Sequence, residues 1–62
     1  MRVDDIIRLV NNGKFSFGKY VCIECSGCYF SVKSKNIQFW AQRKVISICT
    51  ISDNIIDKIE VL

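Results

Sequence analysis

The segment Tyr20-Val-Cys-Ile-Glu-Cys-Ser-Gly-Cys-Tyr-Phe-Ser-Val-Lys33, YVCIECSGCYFSVK, decides how the chain is read. Cys22, Cys25 and Cys28 stand at three-residue intervals, a spacing open to a metal site or to a tight hairpin. With Ser26-Gly27 as a two-residue turn, Cys25 faces Cys28, Glu24 faces Tyr29, Ile23 faces Phe30, Cys22 faces Ser31, Val21 faces Val32 and Tyr20 faces Lys33. One face then carries Val21, Ile23, Cys25, Cys28, Phe30 and Val32; the other carries Tyr20, Cys22, Glu24, Tyr29, Ser31 and Lys33. A slip of one residue would mix the two sets, so the pattern specifies its own register.

This register turns Cys22 away from Cys25 and Cys28. A closed structural zinc site needs four ligands, the chain has no histidine, and Cys49 is the one thiol left. No metal and no cofactor is therefore expected, and the cysteines are read as buried or half-buried packing residues. A Cys25–Cys28 disulfide fits the hairpin geometrically, but the expected reducing compartment argues against it.

Before the hairpin, Val3, Ile6, Ile7 and Val10 recur at helical spacing, with Asp4 and Asp5 where the helix dipole favours negative charge. Asn12-Gly13 ends that helix. The period then falls to two at Phe15 and Phe17, and Gly18 permits a bend or bulge. Beyond the hairpin, Ser34-Lys35-Asn36 reads as a turn, and Ile37, Phe39 and Ala41 alternate as a strand against Gln38 and Trp40. Gln42-Arg43-Lys44 makes a basic reversal. Val45 to Ile51 is apolar on both faces, which suits a central strand or one covered by another subunit. The closing SDNIIDKIEVL is ambiguous between a capped helix and a strand. The preferred reading is a turn at Ser52 to Asn54 followed by a short strand whose inner face is Ile55, Ile59 and Val61, with Asp57 out of place. The expected fold class is α+β, mainly β: an N-terminal helix, then a strongly bent antiparallel sheet of about five strands forming a small barrel, in a single domain over residues 1–62.

At this length a chain buries only about 60% of the surface its unfolded form exposes, so association would add useful burial. Nine Lys and Arg against six Asp and Glu leave a net charge of +3, a slight preference for anionic partners. The longest uncharged runs fall short of the roughly 20 residues of a membrane-spanning helix, and no signal-peptide pattern opens the sequence. A cytoplasmic location without membrane contact is the expectation. The chain also lacks a Gly-rich phosphate loop, a serine nucleophile motif and any base to activate a cysteine, so it reads as a non-enzyme.

The order of helix, bent strands and a last strand introduced by one tight turn resembles the Sm/Hfq-like small β-barrels. TISDNIIDKIEVL is similar to the family's closing segment, VCIECSGCYFSV to its strand, glycine-bearing turn and strand, and NIQF to its Asn followed by an alternating strand. The resemblance implies that Asn36 and the Ser52-Asp53-Asn54 turn, Asn54 included, occupy loops that hold a base between neighbouring subunits. It also implies that the last strand adds to the preceding strand of a neighbour, making a ring or a dimer. Val45, Ile46, Ile48, Ile51, Ile55 and Ile59 are the candidate oligomer interface.

Two functional classes stay open. In the first, Lys33, Lys35, Arg43 and Lys44 bind an anionic ligand, RNA or a nucleotide, with Tyr20, Tyr29 and Trp40 as stacking surfaces. The plain counter-reading is that lysines solvate turns and tyrosines favour strands. In the second, the outward Trp and Tyr anchor a protein interface, as in short inhibitors and adaptors encoded by phages and mobile elements.

Overall fold

The computed structural model describes residues 1–62, every one of them placed. Helix α1 (Val3–Asn11) is followed by strands β1 (Ser16–Cys25) and β2 (Cys28–Lys33), a 3-10 helix (Ser34–Trp40), and strands β3 (Val45–Ser52) and β4 (Ile55–Val61). No helix is long and apolar enough to cross a membrane.

Helix α1 begins and ends for local reasons. The Arg2 backbone N–H donates to Asp5 Oδ2 at 2.8 Å, while the N–H groups of Val3 and Asp4 donate to the carbonyls of Arg43 and Ala41 at 3.0 and 2.9 Å. The orphan donors of the first turn are thus satisfied by a side chain and by the segment entering β3. At the other end Gly13 has φ +78°; its N–H bonds to Val10 O at 3.0 Å and that of Lys14 to Leu9 O at 2.9 Å. This pair of bonds is the Schellman arrangement, and it requires the left-handed residue that glycine supplies. Val3 and Ile6 are buried, with Ile7 and Val10 packed beside them, as the helical spacing implies.

The hairpin pairs in the register read from the sequence, from Tyr20 opposite Lys33 to Cys25 opposite Cys28. Ser26 at φ +52° and Gly27 at φ +81° give the turn two consecutive positive φ values, the type I′ geometry whose twist matches the flanking strands. A Cβ on Gly27 would meet nothing within 4 Å, so the penalty for Gly27→Ala is conformational rather than steric. The expected loss is about 1–2 kcal/mol, read from urea denaturation.

The sheet corrects the expected architecture. It has four strands in the order β2-β1-β4-β3, and β1 runs parallel to β4, while the β1–β2 and β3–β4 pairs are antiparallel. The sheet is mixed and open, not an antiparallel barrel of about five strands. The missing strand is the segment 37–41. Ile37 and Ala41 fit a period of two only if Phe39 points the same way, yet Ile37 is buried and Phe39 is 79% exposed. Ile37 and Trp40, three apart, share the inner side instead, which is the period of a 3-10 helix. With that segment helical, β2 and β3 are left as the two edges and too few strands remain to close the sheet.

Strand β4 holds the centre beside β1, confirming the strand reading of the closing segment, but with a shifted phase. Its buried residues are Ile56, Ile59 and Val61, while Ile55 is only half-buried. Asp57 is skipped by both registers: Ile56 pairs with Phe17 and Thr50, and Lys58 pairs with Cys22 and Cys49. An extra residue at Asp57 moves the apolar set from alternate positions to Ile56 and Ile59. Those two close the core with Val61, Val21 and Ile23 of β1, Val3 and Ile6 of α1, and Ile37.

Candidate anion-binding site

Opposite the single extra residue Asp57, β1 carries four, Gly18 to Val21, between its pairings with Ile56 and Lys58. Strand β1 therefore swings away from β4 over this stretch and stays with β2 from Tyr20 onward. Gly18 has ordinary backbone angles, and an added Cβ would meet only Tyr20 O at 3.7 Å, so the excursion does not depend on a glycine there. Its effect is to re-aim side chains, as irregularities in a ladder do. Lys19 is brought against the end of β2 and the start of the 3-10 helix, where the Ser34 hydroxyl donates to the Lys19 carbonyl at 3.3 Å.

Lys19, Lys33, Ser34 and Lys35 line an open hollow of about 240 Å³. Its walls are lysine stems, and the charged ends are available. The two ion pairs of the molecule, Arg8–Asp4 and Lys58–Glu24, involve none of these lysines. Three unpaired ammonium groups around one concavity raise the local concentration of anions.

The hollow borders the face of the sheet opposite the core. Tyr20, paired with Lys33, is 49% exposed; Tyr29, paired with Glu24, is 65% exposed. Four residues along the strand and one strand across separate their Cα atoms by roughly 14 Å. Between and beyond them lie two rows, Ser31-Cys22-Lys58-Cys49 and Tyr29-Glu24-Glu60-Ser47. Lys58 Nζ donates to Glu24 Oε1 at 3.0 Å, and the Ser47 hydroxyl to Glu60 Oε1 at 3.0 Å. The face is polarised: carboxylates at the turn end, lysines at the excursion end.

The hydrogen bond to Glu24, and then the charge of Glu24, raise the Lys58 pKa above its ordinary 10.5. A cation favoured by folding adds stability in full below the pKa of the unfolded lysine, and that stability is lost as pH rises through the higher folded value. In thermal melts the wild type is expected to exceed Glu24→Gln at neutral pH, with the difference shrinking as the pH rises through and beyond the ordinary lysine range. A difference constant with pH would contradict the pair.

The other residues singled out in the sequence fall elsewhere. Arg43 is at the opposite end of the sheet: Nη1 donates to Leu62 O at 3.3 Å, Nη2 to Cys25 Sγ at 3.8 Å, and the guanidinium lies 5.5 Å from the Trp40 ring centroid. Trp40 in turn meets Phe30 at 5.5 Å between centroids. Arg43 and Trp40 thus knit the core side together, with Lys44 beside them bridged to Arg2. Asn36 lies half-buried in the 3-10 helix, and Asn54 accepts through its carbonyl from Ser16 N–H at 2.8 Å. Of the candidate interface residues, Ile59 is fully buried within the chain and Ile55 belongs to the central strand, whereas Ile46 and Ile51 are exposed on edge strand β3. Strand β4 of the same chain takes the place beside β3 that a neighbour's last strand was expected to fill. Lys19 and Ser34, which the sequence does not single out as candidate ligand residues, line the hollow. Only Gly18, marking a departure from regular pairing, pointed toward them.

The four cysteines are free. As the register requires, Cys22 is on the open face, while Cys25 and Cys28 face each other beside the turn on the core side. The chain matches no known family model, no curated protein and no solved structure.

Proposed function

We propose that the protein is a non-enzymatic binding module for an anionic ligand, and that the ligand is single-stranded RNA. One observation carries the reading: Lys19, Lys33 and Lys35 surround a hollow without ion-pair partners, at the edge of an open sheet face bearing Tyr20. Phosphate groups suit the lysines as point charges, and an unstacked base suits an exposed phenol ring beside them. A duplex would present its bases stacked inside, out of reach of Tyr20; single strands present them outward.

Lysine contacts to phosphate position a strand without reading its bases, so binding should tolerate sequence change. A short labelled oligouridylate, titrated by fluorescence anisotropy, is expected to bind with a log-affinity against log-salt slope of about −2, from three phosphate contacts at about −0.7 each. Binding with no salt dependence would overturn the proposal.

A second reading rests on Phe39, 79% exposed on the 3-10 helix and not among the residues that line the hollow. An exposed phenylalanine of that kind suits an anchor for a protein partner. The two readings separate cleanly: Phe39→Ala leaves RNA affinity unchanged in the first and removes partner binding in the second.

A further inference from the structure

The two edges of the sheet differ. Strand β3 carries three register irregularities against β4, between Val45 and Ser47, Cys49 and Thr50, and Thr50 and Ser52. Such breaks twist an edge and protect it from further pairing. Strand β2 has none: its six residues pair with β1 without interruption. It nevertheless leaves Tyr29 65% and Phe30 45% exposed.

The turn fixes which backbone groups of β2 are free. A two-residue type I′ turn is closed by a hydrogen-bonded pair, here Cys25 and Cys28. By alternation Cys28, Phe30 and Val32 direct their N–H and C=O groups to β1, and Tyr29 and Ser31 direct theirs outward; Lys33, the N-cap of the 3-10 helix, offers its N–H while its carbonyl turns into that helix. None of the turn, loop or cap backbone hydrogen bonds uses Tyr29 or Ser31. The edge is regular, unprotected and rich in donors and acceptors.

We infer that β2 pairs antiparallel with β2 of a second copy, about a two-fold axis at Ser31. Outward residues must face outward residues, which leaves few registers. Centring on Lys33 would oppose Lys33 to itself, and like charges directly opposite are destabilising. Centring on Tyr29 would shorten the overlap and bring the two turns together. Centring on Ser31 uses Tyr29 to Lys33, all of the strand but Cys28, and sets Tyr29 against Lys33 twice and Phe30 against Val32 twice. An aromatic ring against a cation and an aromatic ring against a β-branched side chain are both favourable cross-strand pairs. The sequence Tyr29-Phe-Ser-Val-Lys33 is in this sense complementary to its own reverse. An axis perpendicular to the sheet keeps both open faces on one side and yields a continuous eight-strand sheet, twice the four of one chain.

The dimer also changes the company of Tyr29. Within one chain it sits beside Glu24 at the acidic end; in the dimer it lies beside Lys33 of the other copy. Granting the RNA reading above, each lysine hollow thereby gains a second stacking ring.

A strand pair from Tyr29 to Lys33 is a small interface, so the dimer is expected to dissociate at roughly micromolar concentration. Sedimentation equilibrium of the intact chain over a concentration series, without RNA, is the test. The wild-type mass is expected to climb from 7.2 kDa toward twice that value. Tyr29→Lys, which opposes lysine to Lys33, should weaken dimerisation roughly tenfold or more, and the double variant Tyr29→Lys/Lys33→Glu should restore it. Ser31→Pro, which removes an outward donor at the centre without touching the β1 ladder, should give a monomer. Circular dichroism checks that it folds; if it does not, the charge-swap pair decides. A wild type monomeric throughout, or a dimer indifferent to Tyr29→Lys and to a folded Ser31→Pro, would overturn the inference. Because RNA is absent, either result leaves the binding reading to its own test.

Discussion

Ile59→Ala is expected to leave the protein largely unfolded at room temperature. Ile59 is fully buried, occupies the central strand, and is flanked by Ile23 on one side and Ile48 on the other. Removing three carbons from such a site costs about 2–5 kcal/mol, because the lost transfer energy is joined by that of an unfilled cavity. A domain of this size holds roughly 3–5 kcal/mol in total, so one substitution can use all of it. The core has only eight buried residues, and none of them is polar, so the neighbours have little freedom to collapse into the gap. Ile51→Ala supplies the contrast. Ile51 is 66% exposed on edge strand β3, and its truncation should change stability by no more than about 0.5 kcal/mol. Urea denaturation of both variants checks the pair of outcomes; equal losses would mean that the core is not organised around β4.

The second large effect concerns the ligand. Reversing all three lysines, Lys19→Glu, Lys33→Glu and Lys35→Glu together, is expected to weaken RNA binding by about a hundredfold or more at low salt. Each lysine loses its phosphate contact and presents a repulsive charge in its place. The salt slope should flatten by about 2, since no counterions remain to be released there. Arg43→Glu is expected to act differently: Arg43 holds Leu62 O and stacks near Trp40, so its loss should lower stability more than affinity. The sequence had grouped Arg43 and Lys44 with Lys33 and Lys35 by charge alone. The fold puts the two pairs at opposite ends of the sheet, and only one pair borders the hollow.

That separation illustrates what the sequence could and could not disclose. The hairpin was legible because its two strands sort apolar from polar in a single register around a turn with one candidate geometry. The helix was legible from its spacing and its Asn12-Gly13 stop, and the last strand from its aliphatic residues after Ser52 to Asn54. The parallel contact between β1 and β4 was not, since the residues of either strand look the same whichever direction the neighbour runs. Segment 37–41 misled because Ile37 and Trp40 satisfy a period of three while Ile37 and Ala41 satisfy a period of two, and five residues are too few to separate them. Without that segment as a strand the small barrel was lost. The extra residue at Asp57 exchanged Ile55 for Ile56 in the core, and the matching excursion in β1 made Lys19 a candidate ligand residue. Both arise from a mismatch in length between neighbouring strands, a property of the pair that neither segment carries by itself.

The most direct test of the binding account is a nuclear magnetic resonance titration of the isotope-labelled protein with short oligouridylate, following each backbone amide. The account predicts shifts concentrated at Lys19, Tyr20, Lys33, Ser34 and Lys35, with the amides around Phe39 and along β3 unmoved. Shifts centred on Phe39 or β3, or no shifts at all, would contradict it.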